Sequence, residues 1–117
     1  MIEKLGIGID IIDILKFENM PFTEKSEFYK KIFFKSEIDY CLKFKDSYRH
    51  FAGKFAIKEA TKKSFSKKIG FLQIVTSHIQ SKPIVKVKNN PDYVFLVSLS
   101  HEKTMAVAVV LSERITD

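Results

Sequence analysis

The first strong pattern along the chain is an apolar, β-branched run over residues 5–12, Leu-Gly-Ile-Gly-Ile-Asp-Ile-Ile. Its residue types predict a buried strand that ends near residues 10–13. Gly6 and Gly8 weaken a strand standing alone, so they imply that another backbone comes close there. Pro21 and Thr23 then interrupt the chain, and Phe28, Ile32 and Phe33 predict a helix over 24–34. Ser36 with Asp39 three residues on reads as the start of a further short helix, its apolar stripe being Ile38, Cys41 and Leu42.

Residues 47–65 carry the clearest helical period. Phe51, Phe55, Glu59 and Lys63 fall four apart, beside a stripe of Ala52, Ala56 and Ala60 that permits close packing. Beyond them the pattern changes to strands. Residues 72–79 and 84–87 lie around Gln80-Ser81-Lys82-Pro83, and Asn89-Asn90-Pro91-Asp92 makes a turn. Residues 94–100 and 105–111 flank His101-Glu102-Lys103-Thr104 as a hairpin. A strand, then helices, then four strands predict an α+β fold, a mainly antiparallel sheet packed against one long and several short helices. No repeat, low-complexity stretch or linker divides residues 1–117, so one domain is expected.

With 45% of its 117 residues hydrophobic, the chain can build a packed core. A chain this short has little room to wall off a deep cleft, so an enzyme of this size could complete its site with a second subunit. The net charge of +6 is spread along the chain with no basic run, and points to an anionic partner: nucleic acid, membrane or acidic protein. The single cysteine, Cys41, excludes an intramolecular disulfide and a Cys-rich zinc site, and Tyr40 and Leu42 beside it suggest a buried thiol. No stretch is long and apolar enough to span a bilayer. Glu3, Lys4 and Asp10 interrupt the N-terminal apolar run, unlike a signal peptide, which makes the cytoplasm the expected compartment.

Two acids stand where packing alone would not put them. Asp10 ends an apolar strand, and Glu59 occupies the helical row of Phe51 and Phe55. Taken singly, Asp10 reads as a strand-end turn residue or helix cap, and Glu59 as the partner of Lys63 in an exposed i, i+4 ion pair. Taken together, two carboxylates from distant parts of the chain suit Mg²⁺, which uses one or two carboxylates and lets substrate phosphates and water complete its shell. A lysine one turn from such a carboxylate, Lys63, could neutralise a departing phosphate. His101, at a strand end, reads either as structural or as a phosphate or proton-transfer group. His50 and His78 have no comparable setting, and three scattered histidines define no transition-metal site.

These residues resemble the 4′-phosphopantetheinyl transferase superfamily, and within it the short, single-domain holo-acyl-carrier-protein synthases. Ile7-Gly8-Ile9-Asp10 is similar to the first motif of that family, and Phe55-Ala56-Ile57-Lys58-Glu59-Ala60-Thr61-Lys62-Lys63 to the second, with 44 residues between them. Ser98-Leu99-Ser100-His101 and the Ala/Val-rich run after it are similar to the C-terminal pattern, and Ser36-Glu37 with Tyr40-Cys41 to the middle segment. The resemblance covers residues 6–110 and implies an enzyme that moves the 4′-phosphopantetheine arm of coenzyme A onto a serine of an acidic apo acyl carrier protein. The reaction would be Mg²⁺-dependent, would release 3′,5′-ADP and would serve fatty acid biosynthesis. Asp10 and Glu59 would hold Mg²⁺. Glu59 and Lys63 would be the catalytic pair, the proton of the attacking serine going to Glu59 or to water. Lys63 and His101 would contact coenzyme A phosphates, Lys58 would be a further phosphate or structural contact, and Lys16 would face the carrier protein. A homotrimer with sites between subunits is implied, with neither nucleic acid nor membrane as partner. Lys16 and Lys54 stand where arginine is common in the family, Ser81 where glycine is, and Ser64-Phe65-Ser66 where a glycine usually follows the long helix. A small basic RNA-binding module would leave Asp10 and Glu59 unexplained and would lack the aromatic-and-glycine strand of an RRM domain. An inert structural trimer is the remaining alternative.

Overall fold

In the computed structural model, which describes residues 4–115, one strand is followed by four helices and then four strands. They are β1 (Leu5–Asp13), α1 (Leu15–Glu18), α2 (Phe22–Lys30), α3 (Lys35–Leu42), α4 (Ser47–Ser64), β2 (Ile74–Ile79), β3 (Lys82–Val87), β4 (Tyr93–His101) and β5 (Met105–Arg114). A 3₁₀ turn, Phe71–Gln73, leads into β2. Every ladder among the described residues is antiparallel, so the α+β class and its antiparallel pairing stand. The pairing is divided: β1, β5 and β4 form a three-stranded sheet with β5 in the middle, while β2 and β3 pair only with each other.

Local chemistry explains where the elements begin. Asp13 Oδ1 accepts the Leu15 N–H at 2.9 Å, so the chain turns straight from β1 into α1, one helical turn that apolar periodicity does not signal. Pro21 stands at the N-cap of α2 and its carbonyl accepts from Glu24 and Lys25, so this helix opens and closes earlier than the expected 24–34. Helix α3 starts at Lys35, and its first turn is satisfied by Glu37, whose Oε1 accepts the Phe34 N–H at 2.7 Å. The expected cap, Ser36, does not fill that role. Gln80 and Ser81, both with positive φ (49° and 68°), make the two-residue turn between β2 and β3.

Helix α4 is the axis of the molecule. Residues 51–58 are buried all round, and aromatic and aliphatic clusters lie to either side. Strand β1 lies directly on the alanine stripe. A Cβ at Gly8 would stand 1.9 Å from the Ala60 carbonyl oxygen, and one at Gly6 1.8 Å from that of Ser64. No side chain larger than hydrogen fits at either place, so the two glycines weaken β1 in isolation and admit α4 in return. Strand alternation then sends Gly6, Gly8, Asp10 and Ile12 toward α4 and Leu5, Ile7, Ile9 and Ile11 away from it. Cys41 is buried, which pushes its thiol up to about 12. Among the described residues no helix is long and apolar enough to cross a membrane.

Candidate functional site

The row predicted on α4 runs from the core into solvent. Phe51 is fully buried, Phe55 nearly so, the Glu59 side chain is 29% exposed and that of Lys63 54%. Asp10 meets the polar end of this row from the inward face of β1. Lys63 Nζ donates to Asp10 Oδ1 at 3.3 Å and to the Ile9 carbonyl at 3.0 Å. Lys63 therefore touches one acid and stands one turn beyond the other. Glu59 has its own cation: Lys62 Nζ lies 3.8 Å from Glu59 Oε1 and 3.6 Å from the centroid of the Phe71 ring. Two acids 49 positions apart are thus gathered on one edge of α4, each faced by a lysine.

No group of three or more His, Cys, Asp or Glu side chains that could hold a metal ion occurs among the described residues. A cation here would take carboxylate oxygens from Asp10 and Glu59 and find the rest of its shell in water or substrate. Hard oxygen donors, few in number and partly open to solvent, suit Mg²⁺ and not a softer metal.

Lys58 precedes Glu59 and faces the other way. It is fully buried, and its ammonium donates to Glu37 Oε1 (2.7 Å), the Ile32 carbonyl (2.7 Å) and the Phe71 carbonyl (3.2 Å). Three donors on three acceptors leave none for a phosphate, so of the two expected roles the structural one describes the observed side chain. Glu37 is equally buried, and its other oxygen accepts from the Thr76 amide (2.8 Å) and hydroxyl. Thr76 Oγ1 in turn accepts from Lys54 at 3.0 Å. Burial lowers the pKa of both Lys54 and Lys58, against the pull of Glu37.

His101 stands apart from the acids. Its ring rests against Gly53, where a Cβ would come within 2.8 Å of Nε2, and Nε2 is buried without a hydrogen-bond partner. Position 53 precedes Glu59 by six residues, about 9 Å along the axis and about 240° around it. The chain therefore does not bring its own His101 to its own Glu59. The ring has company that sequence did not reveal. His50 lies 6.5 Å away and stacks on Phe44 (3.7 Å), and His78 stacks on Tyr40 (4.4 Å). All three histidine pKa values are lowered, chiefly by burial, with Lys54 adding at His50 and His78 and Arg49 at His50 and His101.

Lys16 is exposed on α1, its Nζ 4.8 Å from the Phe55 ring centroid. Phe55 in turn packs on Phe71 at 5.6 Å. A line of contacts thus runs Lys16, Phe55, Phe71, Lys62 and ends at Glu59.

Comparison with known proteins bears on this site. The model of the 4′-phosphopantetheinyl transferase superfamily matches residues 6–110. The chain is 36% identical to a holo-[acyl-carrier-protein] synthase of Halothermothrix orenii, over 92% of this chain and 96% of that protein. Among solved structures it is similar to a holo-(acyl-carrier-protein) synthase of Bacillus anthracis in complex with CoA (3′,5′-ADP), with a TM-score of 0.79 and 31% identity over 92% and 95% of the two chains. It is also similar to the Helicobacter pylori holo-[acyl-carrier-protein] synthase in complex with coenzyme A, with a TM-score of 0.76 and 32% identity over 89% and 96%.

Proposed function

The chain belongs to the 4′-phosphopantetheinyl transferase superfamily, and on that footing we propose that it transfers 4′-phosphopantetheine from coenzyme A to a serine of apo acyl carrier protein. The serine oxygen forms a bond to the phosphorus that carries the pantetheine arm, the bridge to the second phosphorus breaks, and 3′,5′-ADP leaves. The observation that carries this reading is the meeting of Asp10 and the Glu59–Lys63 turn at one edge of α4.

Each residue has a task in that reaction. Asp10 and Glu59 would hold Mg²⁺, which when bound supplies positive charge to the diphosphate. Lys63, held by the Ile9 carbonyl and Asp10, presents an ammonium to the departing phosphate oxygens. The serine proton would go to Glu59 or to water. Lys16 and the net charge of +6 attract the acidic carrier protein, an effect that fades with added salt. The reaction serves fatty acid biosynthesis in the cytoplasm.

Two observations support a homotrimer whose sites lie between subunits. The sheet face turned from α4 exposes Ile7, Ile9, Ile11 and Leu96 at 67, 58, 59 and 74%, an apolar surface that a second copy would cover. His101 sits on a different side of α4 from Glu59, so a histidine at the coenzyme A phosphates would come from a neighbouring subunit.

Mass spectrometry of apo carrier protein incubated with this protein, coenzyme A and Mg²⁺ tests the reading. A gain of one phosphopantetheine is expected, abolished by EDTA and reduced at least a hundredfold in rate by Glu59→Gln. No gain, or an undiminished gain with Glu59→Gln, overturns it.

A further inference from the structure

Lys62 and Lys63 are neighbours in sequence, yet they are held differently. Lys63 is tied to two oxygens of β1. Lys62 is held from below by an aromatic face: its ammonium lies 3.6 Å from the Phe71 ring centroid while facing Glu59 Oε1 at 3.8 Å. Phe71 makes a fixed floor, because its ring packs on Phe55 and its carbonyl accepts from the buried Lys58. A cation over a ring is attracted by the electron-rich face, so Lys62 is retained beside Glu59 rather than free to swing into solvent.

We propose that Lys62 is a built-in competitor for the divalent cation at Glu59, and that it sets how tightly the site takes that cation. The inference rests on the Mg²⁺ reading of Asp10 and Glu59 given above. With no metal bound, the ammonium neutralises the carboxylate. A divalent cation arriving on Glu59 meets a single positive charge a few ångströms away, which the Phe71 floor holds in place. Removing that charge while keeping the side-chain length leaves the ring contact and the helix intact and deletes only the competition. At this degree of exposure the effect is about three- to tenfold in affinity, and it shrinks as salt screens the repulsion.

The test is a titration of the full chain with Mn²⁺, read from loss of the free-ion electron paramagnetic resonance signal. It compares the wild type with Lys62→Met, Lys62→Arg and Glu59→Gln. Lys62→Met is expected to bind Mn²⁺ about three- to tenfold more tightly, Lys62→Arg to resemble the wild type, and the gap to close with added salt. Unchanged or weaker binding by Lys62→Met, or tighter binding by Lys62→Arg, overturns the competitor role. The metal site itself then stands if Glu59→Gln still abolishes binding. If none of the four proteins binds Mn²⁺, the magnesium reading falls and this inference falls with it.

Discussion

Lys58 and Glu59 are consecutive residues of one helix, and their charges meet opposite fates. Lys58 turns inward and closes a dry pair with Glu37, both side chains at 0% exposure and their polar atoms occupied by Ile32, Phe34, Phe71 and Thr76. Glu59 turns outward and faces a lysine at 3.8 Å, both side chains about a third open to water. The same chemistry, a carboxylate beside an ammonium, is sealed in the core in one place and left open to water in the other. What separates them is desolvation. The buried pair has given up its water and has only its partners, so neither member can be lent to a substrate. The edge pairs keep part of their hydration, so exchanging a lysine for a metal ion or a phosphate costs little.

The largest effect should come from breaking the buried pair on one side only. Glu37→Gln leaves the Lys58 ammonium in the core without a counter-charge, and the helix loses the carboxylate that accepts from Phe34 and Thr76. A loss of about 3–5 kcal/mol is expected in urea unfolding. Glu37→Leu combined with Lys58→Met should recover only part of it: the unpaired charge is gone, but the Phe34 and Thr76 amides lose their acceptor. A loss below about 1 kcal/mol for Glu37→Gln would make this pair no different from the ones at the edge.

The histidine cluster extends the contrast to pH. His50, His78 and His101 all have folded pKa values below the ordinary histidine value of about 6.5, with burial as the leading cause. The charges facing them are Lys54, Arg49 and Asp46, two positive and one negative. On acidification the unfolded chain takes up protons first. The stability contributed by the neutral rings is therefore complete above about pH 6.5 and is lost as the pH falls through the depressed folded values. The urea midpoint should fall between pH 7 and pH 5. His78→Phe, which keeps a ring against Tyr40, should flatten that slope. An unchanged slope in His78→Phe would show that His78 contributes nothing to the pH dependence.

The edge was legible in the sequence, and the buried network was not. Asp10 breaks an apolar alternation and Glu59 an apolar row, so each announces itself locally, and the two glycines before Asp10 foretell the close backbone approach that α4 supplies. Glu37 belongs to the segment that resembles the family, but nothing there signals its burial, because an acid in the first turn of a helix is ordinary at the surface. Its burial depends on Lys58 and Thr76, 21 and 39 positions away. The three histidines likewise come from α4, β2 and β4, and only the packing of those elements brings them together. Periodicity reports the face on which a side chain lies. What waits on that face is a tertiary matter.

The smallest expected change is in some ways the most telling. Glu59 sits beside Glu37's own partner, so Glu59→Gln offers the matched control to Glu37→Gln: the same substitution, with one position in water and one in the core. The Glu59–Lys62 pair is partly exposed and its oxygen and nitrogen are 3.8 Å apart, beyond hydrogen-bond distance. Removing the charge should move stability by no more than about 0.5 kcal/mol in either direction. The same variant is expected to lose transferase activity and Mn²⁺ binding. A residue whose charge the fold does not need, but which stands among apolar neighbours on its helical row, is held there for something outside the fold. If Glu59→Gln instead costs more than about 1.5 kcal/mol, Glu59 is a second brace like Glu37, and the division of α4 into a structural and a working side fails.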